Sequence, residues 1–404
     1  MQKSAENLFL HADGDSFFVA CEVSQHPEYI GKPVVVGEDR GIAVAMSYEA
    51  KKLGVTRGMP VFKIKKQFPS VVILPHHFDL YRKISKNVHD ILLSYLEEVE
   101  VYSIDECFAT VKQSDIRFAG SADELVKSIK DEIQNTLNVT YSFGLGRTKA
   151  LAKTASKLNK PNGMVILTNI KDEEQALKKT SIDDIWGIGR RTVPRLRDMG
   201  MKTAYDFVHY NSDYIKKYFS SPLFHLQQEL SGSSIYELDP NADPRDQKSI
   251  QSTATFKPST NDLQIIFTEL SSNVERACEH ARSLGLMTNF ISFFIKNTDF
   301  IHHVGSSHLT LYTTDPGIIL NKLEPLLYEL VSKLKDNEKI RSTGITLHNL
   351  RKYENVPRDL FGVQDGYEAK NIIEEVSDRI REKFGHDALK RASSLKVAKK
   401  ENRS

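Results

Sequence analysis

The sequence predicts a multidomain α+β protein, and three observations carry that expectation. Its 404 residues exceed what one core organises, so two to four domains are expected. Short apolar runs alternate with amphipathic stretches up to about Ile170, as strands alternate with helices. The turn-rich segment Asp239-Pro240-Asn241-Ala242-Asp243-Pro244 then sets off a pattern of strand, long helix, two strands, helix and strand over residues 248–350.

Leu8 to Asp13 reads as a buried strand, and a helix follows to roughly Val23. Gly31 to Gly37 begins a second strand, with Gly41 to Ala45 as its partner. Ser47-Tyr48-Glu49-Ala50-Lys51-Lys52-Leu53-Gly54 reads as a short helix closed by glycine. Residues 32–77 therefore form a small insert. From Asp79 onward the alternation resumes, with an antiparallel hairpin around Asp105 and helices on one side. Residues 171–238 are helical and polar, with Trp186-Gly187-Ile188-Gly189 at a tight turn. After Arg351 the chain reads as a charged tail with one helical stretch near 367–383.

Hydrophobic residues make up 40% and charged residues 27%, the balance of a water-soluble globular chain. No stretch has the length of a membrane-spanning helix, and residues 1–7 lack a secretory signal. Cys21, Cys107 and Cys278 show neither zinc-ligand spacing nor a disulfide framework, so a reducing cytoplasm is the expected compartment. The net charge of +2 conceals an uneven distribution. No acidic residue lies between Glu132 and Asp172, whereas Arg147, Lys149, Lys153, Lys157 and Lys160 fall inside that window. Arg190, Arg191, Arg195 and Arg197 follow. Such patches suit either a polyanion path or solvated helix faces.

The carboxylates of Asp13 and of Asp105-Glu106 stand at the ends of strand-like apolar runs, where an unpaired charge is costly. Side chains alternate along a strand, but a hairpin turn or bulge can aim adjacent residues at one site. Three carboxylates converging from two strands would suit a hard divalent cation such as Mg²⁺. Lys149, Lys153 and Lys157 recur every four residues opposite Leu151, Ala155 and Leu158, the pattern of an ordinary amphipathic helix. His76-His77 and His302-His303 lack acidic or cysteine companions in sequence and are not expected to bind metal.

Four motifs occur in order: His11-Ala12-Asp13-Gly14-Asp15-Ser16-Phe17-Phe18, Ser47-Tyr48-Glu49-Ala50-Lys51, Tyr102-Ser103-Ile104-Asp105-Glu106, and Ala155-Ser156-Lys157-Leu158-Asn159-Lys160-Pro161-Asn162-Gly163. Together the motifs resemble the Y-family translesion DNA polymerases, the DinB (DNA polymerase IV) and UmuC group, over residues 8–350. The resemblance implies a right-handed polymerase with a ferredoxin-like palm at 1–31 and 78–170 and small fingers at 32–77. It further implies a thumb with a helix-hairpin-helix at 171–238, a linker at 239–247, an α+β little finger at 248–350 and a tail at 351–404. The implied activity is low-fidelity, template-dependent nucleotidyl transfer to a primer 3′ end, in DNA damage tolerance.

By position, the resemblance makes Asp13, Asp105 and Glu106 catalytic ligands of two Mg²⁺ ions, with Mn²⁺ a possible substitute and the Gly14 carbonyl completing one shell. Asp15 would lie nearby in a helix-N-terminal role. Ser16, Phe17 and Phe18 would border the incoming dNTP, with their amides near the triphosphate and Phe18 as the steric gate against a 2′-hydroxyl. Tyr48, Lys51 and Lys160 match triphosphate contacts, although arginine is usual at the Lys51 position. Gly187, Gly189, Arg190 and Arg191 would hold primer-template DNA through backbone phosphates. Leu360 and Phe361 resemble a sliding-clamp peptide that lacks its leading glutamine. A monomer is expected. The rival readings are a non-catalytic DNA- or clamp-binding scaffold and another palm-type enzyme such as a nucleotide cyclase.

Overall fold

The computed structural model describes residues 7–38, 41–241, 246–335, 338–356, 365–385 and 388–395. Two compact units divide the chain, Met1–Ala242 and Asp243–Ser404.

The first unit runs β1 (Leu8–Gly14), α1 (Phe17–Gln25), β2 (Val34–Val36), β3 (Ala45–Met46), α2 (Tyr48–Lys52), α3 (Val61–Gln67), β4 (Val72–Leu74) and α4 (Phe78–Tyr95). It continues with β5 (Val99–Val101), β6 (Glu106–Val111), α5 (Gln113–Ala119), α6 (Ala122–Leu137), β7 (Tyr141–Gly146), α7 (Lys149–Leu158) and β8 (Met164–Ile166). Five helices close it: α8 (Ile170–Lys179), α9 (Val193–Asp198), α10 (Ala204–Val208), α11 (Ser212–Tyr218) and α12 (Ser221–Leu230).

Its main sheet has the order β5-β6-β1-β7-β8, with β1 at the centre and antiparallel to both neighbours. Burial on both faces explains why β1 reads as a continuous apolar run. Leu10 and Ala12 join the core formed with Ile84, Val88 and Leu92 of α4 and Ile129 and Ile133 of α6. The alternate residues His11 and Asp13 point the other way, and His11 reaches Ser156 of α7 at 2.7 Å. Helices therefore cover both faces of the hairpin sheet, rather than the one side expected.

The close approach of α7 depends on Gly144. A Cβ there would lie 2.1 Å from the Ala152 carbonyl oxygen and 2.3 Å from the Ser156 nitrogen. Both clashing atoms are backbone, so no rotamer change relieves them.

The insert is a three-stranded sheet of order β3-β2-β4, with β4 parallel to β2. The partner of β2 is Ala45–Met46 and not the whole Gly41 to Ala45 segment. Residues 41–43 spend their hydrogen bonds on a different segment: the Ala43 amide donates to Met59 O at 2.8 Å, and the Val61 amide donates to Gly41 O at 3.1 Å. The short helix α2 forms as read, with Ser47 accepting from the Ala50 amide and Gly54 at a positive φ beyond it.

The second unit contains β9 (Ser249–Thr260), α13 (Leu263–Ser283), β10 (Leu286–Asn297), β11 (His302–Thr313), α14 (Pro316–Ser332), β12 (Ile340–His348), β13 (Arg351–Lys352) and α15 (Asp365–Phe384). Its antiparallel sheet has the order β11-β10-β12-β9. Ile291, Phe293, Ile295, Ile345 and Leu347 face α13 and α14, leaving Phe290, Ser292 and Phe294 on the opposite face.

The charged C-terminal stretch is docked on this unit. Arg282 of α13 donates twice to Asp378, at 2.6 and 2.8 Å, and to the Thr314 carbonyl at 2.7 Å. Arg391 pairs with Glu374 and lies 3.4 Å from Asp315. Leu360 and Phe361, the expected clamp peptide, lie outside the described residues.

Replacing Gly144 with alanine is expected to push α7 off the sheet and cost about 3 kcal/mol or more. Chemical denaturation of the Gly144→Ala protein measures it; an unchanged midpoint would contradict the packing described.

Candidate active site

Asp13 is the penultimate residue of β1, and Glu106 begins β6 directly opposite it in register. His11, Asp13 and Glu106 offer ligand atoms that all lie within 4.8 Å of one another. Two carboxylates this close repel, and each is met by one ammonium. Lys153 of α7 donates to Glu106 at 2.7 Å, and Lys160 donates to Asp13. Burial pushes the Glu106 carboxyl above the usual carboxylate range; the Lys153 contact opposes this, and Asp13 and Asp105 add to it.

His11 is fully buried and packs at a tilt against Phe108, with ring centroids 4.5 Å apart. Burial, reinforced by Lys153 and Lys160, holds its imidazole well below the ordinary histidine value. Its Nδ1 meets Ser156, while its Nε2 has no hydrogen-bond partner among the described residues. Sequence reasoning did not select His11 as a site residue. The usable signal was its spacing, since residues two apart on a strand share a face.

Asp105 lies in the turn before β6, half-buried, and its carboxylate accepts from the Ser103 hydroxyl at 2.6 Å. Its carbonyl accepts from the Gly14 amide at 2.9 Å, which ties the turn to the end of β1. The Asp105 carboxylate is not part of the cluster formed by His11, Asp13 and Glu106.

Asp15 does not cap α1. Ser16 occupies the N-cap position in a left-handed conformation, φ 49°. The 4% exposed Asp15 instead accepts from the Asn162 amide at 2.7 Å, the Ser142 hydroxyl at 2.8 Å and the Tyr48 hydroxyl at 3.4 Å. It thus joins β7, the loop after α7 and the insert. Burial raises its carboxyl above the usual range, against the pull of these donors.

Phe17 and Phe18 divide the work between them. Phe17 is 3% exposed and packs edge-on to Tyr141, whereas Phe18 is half-buried and stacks on Tyr81 at 4.4 Å. Around the first turn of α1, Lys51 donates to the Ser16 hydroxyl at 3.3 Å and lies over the Tyr48 ring at 4.2 Å. Burial lowers its ammonium below the usual lysine value, and the charge of Lys160 adds to that. Lys51 therefore lies beside the first turn of α1, whose leading amides no helical carbonyl satisfies.

Two of the three α7 lysines turn away from solvent, and only Lys157 is exposed. Lys149 and Lys153 are each 5% exposed. Lys149 meets Glu100 at 2.7 Å and the Phe108 ring at 4.7 Å. Lys153 lies over Tyr102 at 4.5 Å and Trp186 at 5.2 Å. Trp186 also donates to the Tyr102 hydroxyl at 3.2 Å, fixing the glycine turn to the β5–β6 hairpin. In that turn Gly187 adopts φ +84°, Ile188 is buried, and Gly189, Arg190 and Arg191 are exposed. One histidine of each pair has an acidic companion that the sequence did not show: His77 meets Glu22 and His303 meets Glu338, each at 3.0 Å. Among the described residues, no helix is long and apolar enough to cross a membrane.

The sequence matches the impB/mucB/samB family over residues 12–157 and that family's C-terminal domain over 247–360. It is 30% identical to DNA polymerase IV of Desulfatibacillum aliphaticivorans over 98% of this chain and 99% of that protein. It is 28% identical to the protein UmuC of Salmonella typhimurium, covering 95% of this chain and 92% of that one. Among solved structures, the Y-family chimera Dbh-Dpo4(243-245)-Dbh superposes with a TM-score of 0.72 at 25% identity, over 85% of this chain and 98% of that one. DinB from Sulfolobus solfataricus, at 24% identity, gives a TM-score of 0.52 over 84% of this chain and 98% of that one, and shares the fold. With relatives matched from end to end, the chain belongs to the Y-family DNA polymerases of the DinB/DNA polymerase IV and UmuC group, and is a translesion DNA-directed DNA polymerase with metal-dependent catalysis.

Proposed function

We propose that this polymerase extends primer 3′ ends at the Asp13–Glu106 centre, with Asp105 joining those carboxylates around two Mg²⁺ ions. One observation carries the reading: Asp13 and Glu106 are register partners on adjacent strands, and the Asp105 carbonyl binds the amide next to Asp13. The donor set fits the ions, because oxygen ligands suit Mg²⁺ and the mutual repulsion of three carboxylates falls when a cation enters. Bound there, the ions would lower the pKa of the primer hydroxyl and neutralise the leaving pyrophosphate.

The remaining work falls to the protein's own groups. The Lys160 ammonium pairs with Asp13 and the Lys153 ammonium with Glu106, so each carboxylate already faces a cation. Once Asp13 has another partner, Lys160 is free to turn with Lys51 toward triphosphate oxygens. The Tyr48 hydroxyl and the amides of Ser16, Phe17 and Phe18 complete that cradle. The exposed part of the Phe18 ring selects the sugar. Gly187 and Gly189 let the turn approach a DNA phosphate, and Arg190 and Arg191 add charge that is independent of sequence. In this reading the main sheet is the palm, the three-stranded insert the fingers, α8–α12 the thumb and the second unit's sheet the little finger. Leu360 and Phe361 serve as the clamp peptide, and the protein acts as a cytoplasmic monomer.

Primer extension tests both halves of the assignment. Glu106→Ala and Asp105→Ala should each reduce single-nucleotide insertion by at least about a thousandfold, on the scale of losing a principal electrostatic stabiliser. Primer-template affinity should stay within about threefold, because the DNA contacts lie elsewhere. Wild-type insertion rates in either variant would refute the catalytic reading. Phe18→Ala should raise ribonucleotide incorporation by about a hundredfold relative to deoxynucleotide, and an unchanged ratio would remove Phe18 as the gate.

A further inference from the structure

Behind Phe18 lies a carboxylate that polymerisation does not use. Glu22 stands one helical turn after Phe18 on α1 and is 2% exposed. A carboxylate so deep in a core is costly unless donors surround it. Here there are three donors, all from the start of α4. The Tyr81 hydroxyl donates to Glu22 Oε1. The His77 amide donates to the same oxygen at 3.2 Å, and His77 Nδ1 lies 3.1 and 3.0 Å from Oε1 and Oε2.

The tethered Tyr81 is fully buried, and its ring lies almost parallel to that of Phe18, 4.4 Å away at 12°. Phe78 closes the corner, edge-on to Phe18 at 5.8 Å and to Tyr81 at 5.6 Å. Burial and the Glu22 contact push the Tyr81 phenol well above its usual value, so it remains a donor.

We infer that Glu22, acting through the Tyr81 hydroxyl, is a positioning residue that fixes the plane of the Phe18 ring and thereby sets how strictly the enzyme rejects ribonucleotides. The inference rests on Phe18 being the sugar gate. An aromatic ring on a short helix rotates about two side-chain bonds, and stacking alone leaves it free to slide across its neighbour. Hydrogen-bonding Tyr81 to a fixed carboxylate removes that slide, because the Tyr81 ring can no longer rotate away. Geometry held to a fraction of an ångström is what a steric filter needs.

The test compares full-length wild type with Glu22→Gln, Tyr81→Phe, Phe18→Ala and the double variant Glu22→Gln/Phe18→Ala. Each is assayed for kcat/KM with a deoxy- and a ribonucleotide on one primer-template. Tyr81→Phe keeps the ring and deletes only the hydroxyl, and a thermal melt of each protein reports folding. Discrimination should fall about tenfold in Glu22→Gln and in Tyr81→Phe, mainly through a lower ribonucleotide KM. In the Phe18→Ala background, Glu22→Gln should change the ratio no further. Unchanged discrimination in folded Tyr81→Phe and Glu22→Gln, with Phe18→Ala still permissive, would overturn the inference while leaving the gate intact. An additive loss in the double variant would also overturn it. Unchanged discrimination in Phe18→Ala would overturn the gate itself, and the inference with it.

Discussion

Two carboxylates facing each other across neighbouring strands constrain this structure. Asp13 and Glu106 are register partners, and placing both charges there is unfavourable unless cations are brought to them. The fold brings them from two directions. Lys153 arrives on α7, which crosses the sheet only because Gly144 lets two backbones nearly touch. Lys160 arrives on the loop that follows, and that loop is held by the Asn162 amide bonded to Asp15. Sheet, helix and loop are thus positioned by one electrostatic requirement.

The same requirement explains the surrounding chemistry. His11 stays neutral beneath the lysines and adds no charge to the cluster. Lys149 and Lys153 lie against Phe108, Tyr102 and Trp186, so aromatic faces stabilise ammoniums that little water reaches. Trp186 extends this cluster to the glycine turn, mechanically joining the DNA-gripping element of our reading to the hairpin that carries Asp105 and Glu106. The insert contributes Tyr48 and Lys51 through one capped turn of helix, and Asp15 binds it to the sheet.

Part of this was legible in the sequence. Of the three carboxylates expected to converge, Asp13 and Glu106 meet while Asp105 stands outside their cluster, and the strand–helix pattern of residues 248–350 appears as read. The acid-free window around Lys153 signalled cations, but their periodicity suggested a solvated face. Spacing reports which residues share a face and not what covers it, so the partners Glu100 and Glu106 could not be read from it. The exchange of hydrogen bonds between residues 41–43 and 58–61 was equally invisible, because short β pairings are decided by tertiary contacts. Asp15, read as a carboxylate at the start of α1, is also held by three donors from distant segments, Asn162, Ser142 and Tyr48, which no local pattern reveals. The docking of the tail on Arg282 likewise depends on long-range ion pairs that no local pattern encodes.

The central claim is that the Asp13 and Glu106 carboxylates are the seat of the divalent ion. Anomalous diffraction from crystals of the protein with primer-template DNA, a non-hydrolysable deoxynucleotide and Mn²⁺ addresses it directly. The account predicts metal density bonded to oxygens of both residues, with the Lys160 ammonium displaced from Asp13. Well-ordered metal density that touches neither carboxylate, with both lysine contacts intact, would contradict it.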